Sequence, residues 1–137
     1  MSRRVRDKIE EVEGYLSDLE EIVPEGFEEY SVNKEKRAAC ERYFQKIIEA
    51  VLDISFIVAK DNNWKIAESD DEALKILSDN GLIKNELYLK LRGAKGMRNF
   101  IVHQYDKIED ELVFEAVKGD LGKDIEEFLK KVKGGIR

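Results

Sequence analysis

Apolar residues recur at spacings of three and four along nearly the whole chain, the period of helices buried on one side. Val5, Ile9, Val12, Leu16, Leu19 and Val23 predict a first helix over Arg3–Val23, which Pro24-Glu25-Gly26 ends. Phe27–Tyr30 reads as a short connection, and Ser31 or Asn33 is placed to cap the next helix by accepting backbone N–H bonds. The second helix, Asn33–Lys60, is the longest, with Ala39, Tyr43, Phe44, Ile47, Ile48, Val51, Leu52, Ser55 and Val58 as its stripe. Ile54 and Phe56-Ile57 fall partly outside that stripe and predict contact on a second face, with another subunit as one candidate. Asp61-Asn62-Asn63 stops this helix, and Trp64–Glu68 is expected as a loop with Trp64 folded back onto the bundle.

Ser69-Asp70-Asp71-Glu72 has the form of a capping box. It opens a short helix with Ala73, Leu74 and Leu77 inward, and Asn80-Gly81 closes it with a left-handed C-terminal signal. A fourth helix from about Asn85 carries Leu87, Leu91, Ala94, Met97 and Ile101. A last one, Asp110–Val132, uses Leu112, Val113, Ala116, Val117, Leu121, Ile125, Phe128 and Leu129. No strand alternation, hairpin turn, internal repeat or low-complexity tract competes with helix. The expectation is all-α: an antiparallel up-and-down bundle of about five helices in a single domain, residues 1–137.

Composition sharpens this. Charged residues make up 39% of the 137, with one Pro, and long straight side chains of this kind lose little rotamer freedom in a helix. The single cysteine, Cys40, excludes an internal disulfide and fits a reducing compartment; it reads as a small buried hydrophobe. The longest apolar run, Ile54–Ala59 with Ser55 inside it, is far below the ~20 residues that cross a bilayer. Met1-Ser2-Arg3-Arg4 leads into charged helix rather than a signal-peptide core, so a soluble, cytoplasmic protein without membrane contact is expected. One His and one Cys leave only carboxylates to complete a metal site, so neither metal nor other cofactor is expected.

The net charge of −6 opposes indiscriminate binding to nucleic acid. Its distribution is uneven. Lys84, Lys90, Arg92, Lys95, Arg98 and Lys107 face only Glu86 and Asp106 between positions 84 and 107, a local +4 that leaves −10 for the rest. That island holds the only histidine, His103, with Arg98 five positions before it, Asn99 four before it and Tyr105 two after it. Asn99 and His103 share a helix face, so the amide can fix the imidazole's orientation and tautomer. Arg98 and His103 diverge by about 140° on an ideal helix. Either the helix ends or bends near His103, or two copies pair so that residues of both line one cleft. Gly93 and Gly96 bear on the choice, because a Gly-x-x-Gly pair permits a bend or the close approach of another backbone.

Arg98-x4-His103-x-Tyr105 resembles the R-x4-H-x-Y motif of HepT-like toxins in the HEPN superfamily. Arg37–Arg42 with Ile47-Ile48-Glu49-Ala50, Asp71–Leu74 through Gly81-Leu82-Ile83, and Met97-Arg98-Asn99 extend the likeness to about residues 3–132. The resemblance implies a five-helix bundle that pairs as a homodimer, with the motifs of both subunits facing a shared cleft. It also implies metal-independent RNA cleavage by a toxin of a type VII-like toxin–antitoxin system. The implied partner is a MntA-type nucleotidyltransferase antitoxin that silences the toxin by adding AMP to the motif tyrosine, here Tyr105.

Such cleavage needs a proton taken from the 2′-hydroxyl, charge stabilised on the phosphoryl oxygens, and a proton given to the leaving 5′-oxygen. An imidazole suits the proton transfers and a guanidinium the phosphoryl group. The expected roles are His103 as general acid or base, Arg98 as phosphate clamp, Asn99 as the residue that positions His103, and Tyr105 as phosphate contact and AMP acceptor. Blander readings exist for each: a structural histidine, an arginine that neutralises a carboxylate, a core aromatic with a surface hydroxyl. The rival function is a non-catalytic, nucleotide-binding scaffold for a nucleotidyltransferase.

Overall fold

The computed structural model describes residues 1–103 and 109–135. Among them every regular element is helical: α1 (Arg3–Ile22), α2 (Phe27–Val32), α3 (Lys34–Asp61), α4 (Asp70–Asp79), α5 (Asn85–His103), α6 (Asp110–Glu115) and α7 (Leu121–Gly135). A five-residue π-helical segment, Ala116–Asp120, joins α6 to α7 without a break.

The central element is α3, which packs against α1, α2, α4 and α5. Its neighbour α1 buries one stripe, Val5, Ile9, Val12, Leu16 and Leu19, as the spacing predicts. By contrast α3 is buried on more than one face. Ile54 and Ile57, which lie off the main stripe, are inside the subunit, so its second apolar face is covered largely by the chain itself. Ser55, a buried polar residue of the core, donates its hydroxyl to the Val51 carbonyl (2.9 Å), an internal partner that offsets the cost of burial.

Local signals set the ends. Asn33 Oδ1 accepts from Lys36 N–H (3.0 Å) and caps α3, whereas Ser31 Oγ donates to the Glu28 carbonyl inside α2. Asn63 takes a left-handed φ of 58°, and Trp64 N–H returns to the Ala59 carbonyl (2.9 Å), which reverses the chain and seats Trp64 against the core. Gly81, at φ 78°, does the same after α4, with Leu82 N–H on the Leu77 carbonyl. Ser69 Oγ caps α4 through Glu72 N–H (3.1 Å), but Glu72 Oε1 reaches the N–H of Glu68 rather than that of Ser69, so the box closes one residue early.

Two readings are corrected. Phe27–Val32 is a helix, not a connection. Gly26 opens it, Tyr30 is buried, and Phe27 and Tyr30 both pack on Phe114 of α6, so the six residues gain a hydrophobic face too short to show a period. Leu112, expected inward, is 52% exposed, whereas Val113 and Val117, expected inward with it, are buried on either side of the start of the π segment.

Cys40 is fully buried, and that burial, reinforced by the nearby Glu41 carboxylate, pushes its thiol up to about 11. The native protein should therefore resist alkylation by iodoacetamide at pH 8 and react only when unfolded. Mass spectrometry of the native and denatured protein checks this.

Candidate functional site

The motif rides on α5. Leu87, Tyr88, Leu91 and Ile101 bury one face of this helix, with Ala94 and Met97 packed beside them. Arg98 stands four residues after Ala94 and seven after Leu91, so it falls on the same inward side. His103 is the last described residue of α5 and is exposed. The helix is continuous through Gly93 and Gly96 as far as His103, so the two side chains leave it in the diverging directions that a five-residue separation sets.

Inward placement gives Arg98 protein partners. Its Nη2 lies 3.0 Å from Asp70 Oδ2 at the start of α4, and its Nη1 lies 3.5 Å from Glu49 Oε2 on α3. Glu49 is itself held by Gln45, whose Nε2 donates to the same oxygen (3.2 Å). The Nε–H of Arg98 is buried and has no acceptor among the described residues. Next to this pair, Asp71 Oδ1 accepts from the Tyr88 hydroxyl (2.8 Å) and meets Arg92 Nε (3.4 Å). Lys90 reaches Asp124 (3.8 Å), whose carboxyl is pushed above its usual range by burial, with Lys90 opposing. Three of the six basic residues of the island are thus neutralised inside the subunit, which the charge count alone does not reveal.

Glu49, Asp70 and Asp71 are neighbours of the motif that sequence reasoning missed. The acidic first turn of α4 has an obvious local role in capping and in the helix dipole, and that role conceals the second one, as counter-ions of α5. Asn99 is half-buried and sits four residues before His103 on the same helix. Tyr105 lies outside the described residues.

The outward face of α5 is unlike its inward one. Leu89, Gly93, Gly96, Phe100 and His103 succeed one another at spacings of four and three and so share a stripe. Leu89 is 51% and Phe100 55% exposed, and a Cβ added at Gly93 or Gly96 would meet nothing within 4 Å among the described residues. Beside this face lies a groove of about 240 Å³ between α5 and the π segment, lined by Met97, Ala116, Lys90, Asp120 and Asp124 among others. Among the described residues no group of three or more His, Cys, Asp or Glu side chains is placed to hold a metal ion, and no helix is long and apolar enough to cross a membrane.

This arrangement of helices matches the fold of solved HEPN toxin structures. The fold superposes on the tri-AMPylated Shewanella oneidensis HEPN toxin in complex with MNT antitoxin with a TM-score of 0.91, covering 97% of this chain and 98% of that one at 22% identity. The model of the ribonuclease HepT-like family matches residues 12–132, and the chain belongs to that family. An Archaeoglobus fulgidus protein provisionally named an RNase is 35% identical over 71 residues, 52% of this chain and 53% of that protein. The mRNA nuclease HepT of Shewanella oneidensis is 29% identical over 89 residues, 65% of this chain and 66% of that protein. The chain thus spans about half the length of the first relative and just under two thirds of the second.

Proposed function

We propose that the protein is a metal-independent ribonuclease, the toxin of a type VII-like toxin–antitoxin pair, acting as a cytoplasmic homodimer. In this reading two subunits pair through the outward stripe of α5, crossing at Gly93 and Gly96 where the backbones can approach closely. The motif residues of both subunits then border one cleft. The observation that carries the reading is the divergence within one subunit: Arg98 faces inward and His103 outward on one continuous helix, beside an exposed Leu89 and the small residues Gly93 and Gly96. A second copy packed across Gly93 and Gly96 brings a second motif to the same place.

The chemistry comes from the residue types. One imidazole takes the 2′-hydroxyl proton as that oxygen attacks phosphorus, and the bond to the 5′-oxygen breaks as that oxygen receives a proton. The products are a 2′,3′-cyclic phosphate and a free 5′-hydroxyl. With two copies of His103 in one cleft, base and acid can be separate side chains. Arg98 clamps the phosphoryl oxygens, Asn99 orients His103, and Tyr105 contacts the phosphate. Tyr105 is also the hydroxyl to which a MntA-type nucleotidyltransferase attaches AMP, which places bulk and negative charge where the substrate phosphate binds.

One observation favours a second reading, a non-catalytic scaffold for a nucleotidyltransferase. The guanidinium meant for phosphate is already engaged by Glu49 and Asp70. A single experiment separates the two: RNA cleavage in EDTA before and after co-expression with the nucleotidyltransferase, with mass spectrometry of the Tyr105 peptide. Cleavage that disappears as AMP appears on Tyr105 is the expected result. AMP addition with no cleavage before or after it supports the scaffold.

A further inference from the structure

The guanidinium of Arg98 lies deeper than the anions that meet it. Its side chain is 14% exposed, against 41% for both Asp70 and Glu49, so the cation is the more deeply buried partner in each pair. They come from two helices, α4 and α3, and each takes one terminal nitrogen of the guanidinium. One cation with two anions leaves this locus at a formal −1, a sign that repels phosphate. Carboxylate and phosphate oxygens use the same fork of guanidinium N–H groups, so the two kinds of anion compete for one place.

We infer that Asp70 and Glu49 form an internal phosphate mimic, a latch that holds Arg98 and must give way before a substrate phosphate can bind it. The latch deepens the ribonuclease reading, on which its relevance to RNA rests; the competition itself applies to any phosphate. Both carboxylates are partly in water, which screens the pairs and allows them to open. The buried Nε–H of Arg98, with no acceptor among the described residues, fits a group held in a waiting arrangement rather than a fully satisfied structural bridge. A purely structural bridge would behave otherwise: its removal would loosen the fold and leave phosphate affinity unchanged.

The test uses the full chain and its Asp70→Asn/Glu49→Gln variant with two probes. One is a single-stranded deoxyoligonucleotide, which lacks the attacking 2′-hydroxyl. The other is inorganic phosphate, monitored through the Arg98 Nε–H resonance in ¹⁵N-labelled protein. The variant should bind both about tenfold more tightly, the scale on which local fields change anion binding, and Arg98→Ala in the same background should erase the gain. Glu20→Gln/Glu21→Gln on α1 removes the same charge at a distance and should give little of it. An unchanged affinity, or an equal gain in the α1 variant, overturns the latch. Should the double variant fail to fold, Asp70→Asn alone carries the test, with a smaller gain expected and no gain overturning the latch. Tighter phosphate binding with no oligonucleotide binding by any variant upholds the latch and counts against the ribonuclease reading. Oligonucleotide binding that is strong but identical in all variants does the reverse.

Discussion

His103→Ala is expected to abolish RNA cleavage while leaving a folded protein of unchanged oligomeric state. General acid–base catalysis contributes about 10²–10⁴-fold, and under the proposed pairing of two His103 side chains in one cleft the variant loses both roles at once. Stability should barely move, because the side chain is exposed at the last described residue of α5 and takes no part in the buried core. Thermal unfolding and a single-turnover cleavage assay on one preparation provide the two readouts. Cleavage at the parental rate would remove His103 from the mechanism.

Gly96→Leu has the second large effect, and its sign differs between fold and function. Among the described residues of the subunit a Cβ at this position meets nothing within 4 Å, and leucine in place of glycine in a helix interior favours the helix by up to ~1 kcal/mol. The isolated subunit should therefore be as stable as the parent or slightly more so. In the proposed dimer the same side chain would stand where two backbones approach. Overpacking of this kind costs about 1–3 kcal/mol per site, and a two-fold interface meets it twice. Dimerisation should weaken by about thirtyfold or more, with cleavage lost in proportion. Analytical ultracentrifugation gives the first quantity and the cleavage assay the second. A variant that stays dimeric and active would place the interface elsewhere on the surface.

Much of the architecture is legible in the chain. The stripes of α1 and α3, the Asn33 and Ser69 caps and the left-handed stops at Asn63 and Gly81 are local features, each decided within a few residues. The inward direction of Arg98 is legible too, since it continues the spacing of Leu91 and Ala94. The features that escape depend on contacts between distant parts or on a break in period. The helix Phe27–Val32 exists because Phe27 and Tyr30 find Phe114, more than eighty positions away. The π segment Ala116–Asp120 interrupts the 3.6-residue period, and extending a regular helix through it turns Leu112 inward on paper but not in the fold. Glu49 and Asp70 reach Arg98 across 49 and 28 residues of sequence, and no local pattern announces such a pairing. The same limit explains why the basic island reads as open to phosphate while half of its cations are already matched.

Specific activity measured across a dilution series, with the monomer–dimer equilibrium tracked by ultracentrifugation in the same buffer, tests most directly whether two subunits make the cleft. RNA cleavage per subunit should rise with the dimer fraction and vanish as the protein becomes monomeric. A monomer that cuts RNA as fast per subunit as the dimer would contradict the account.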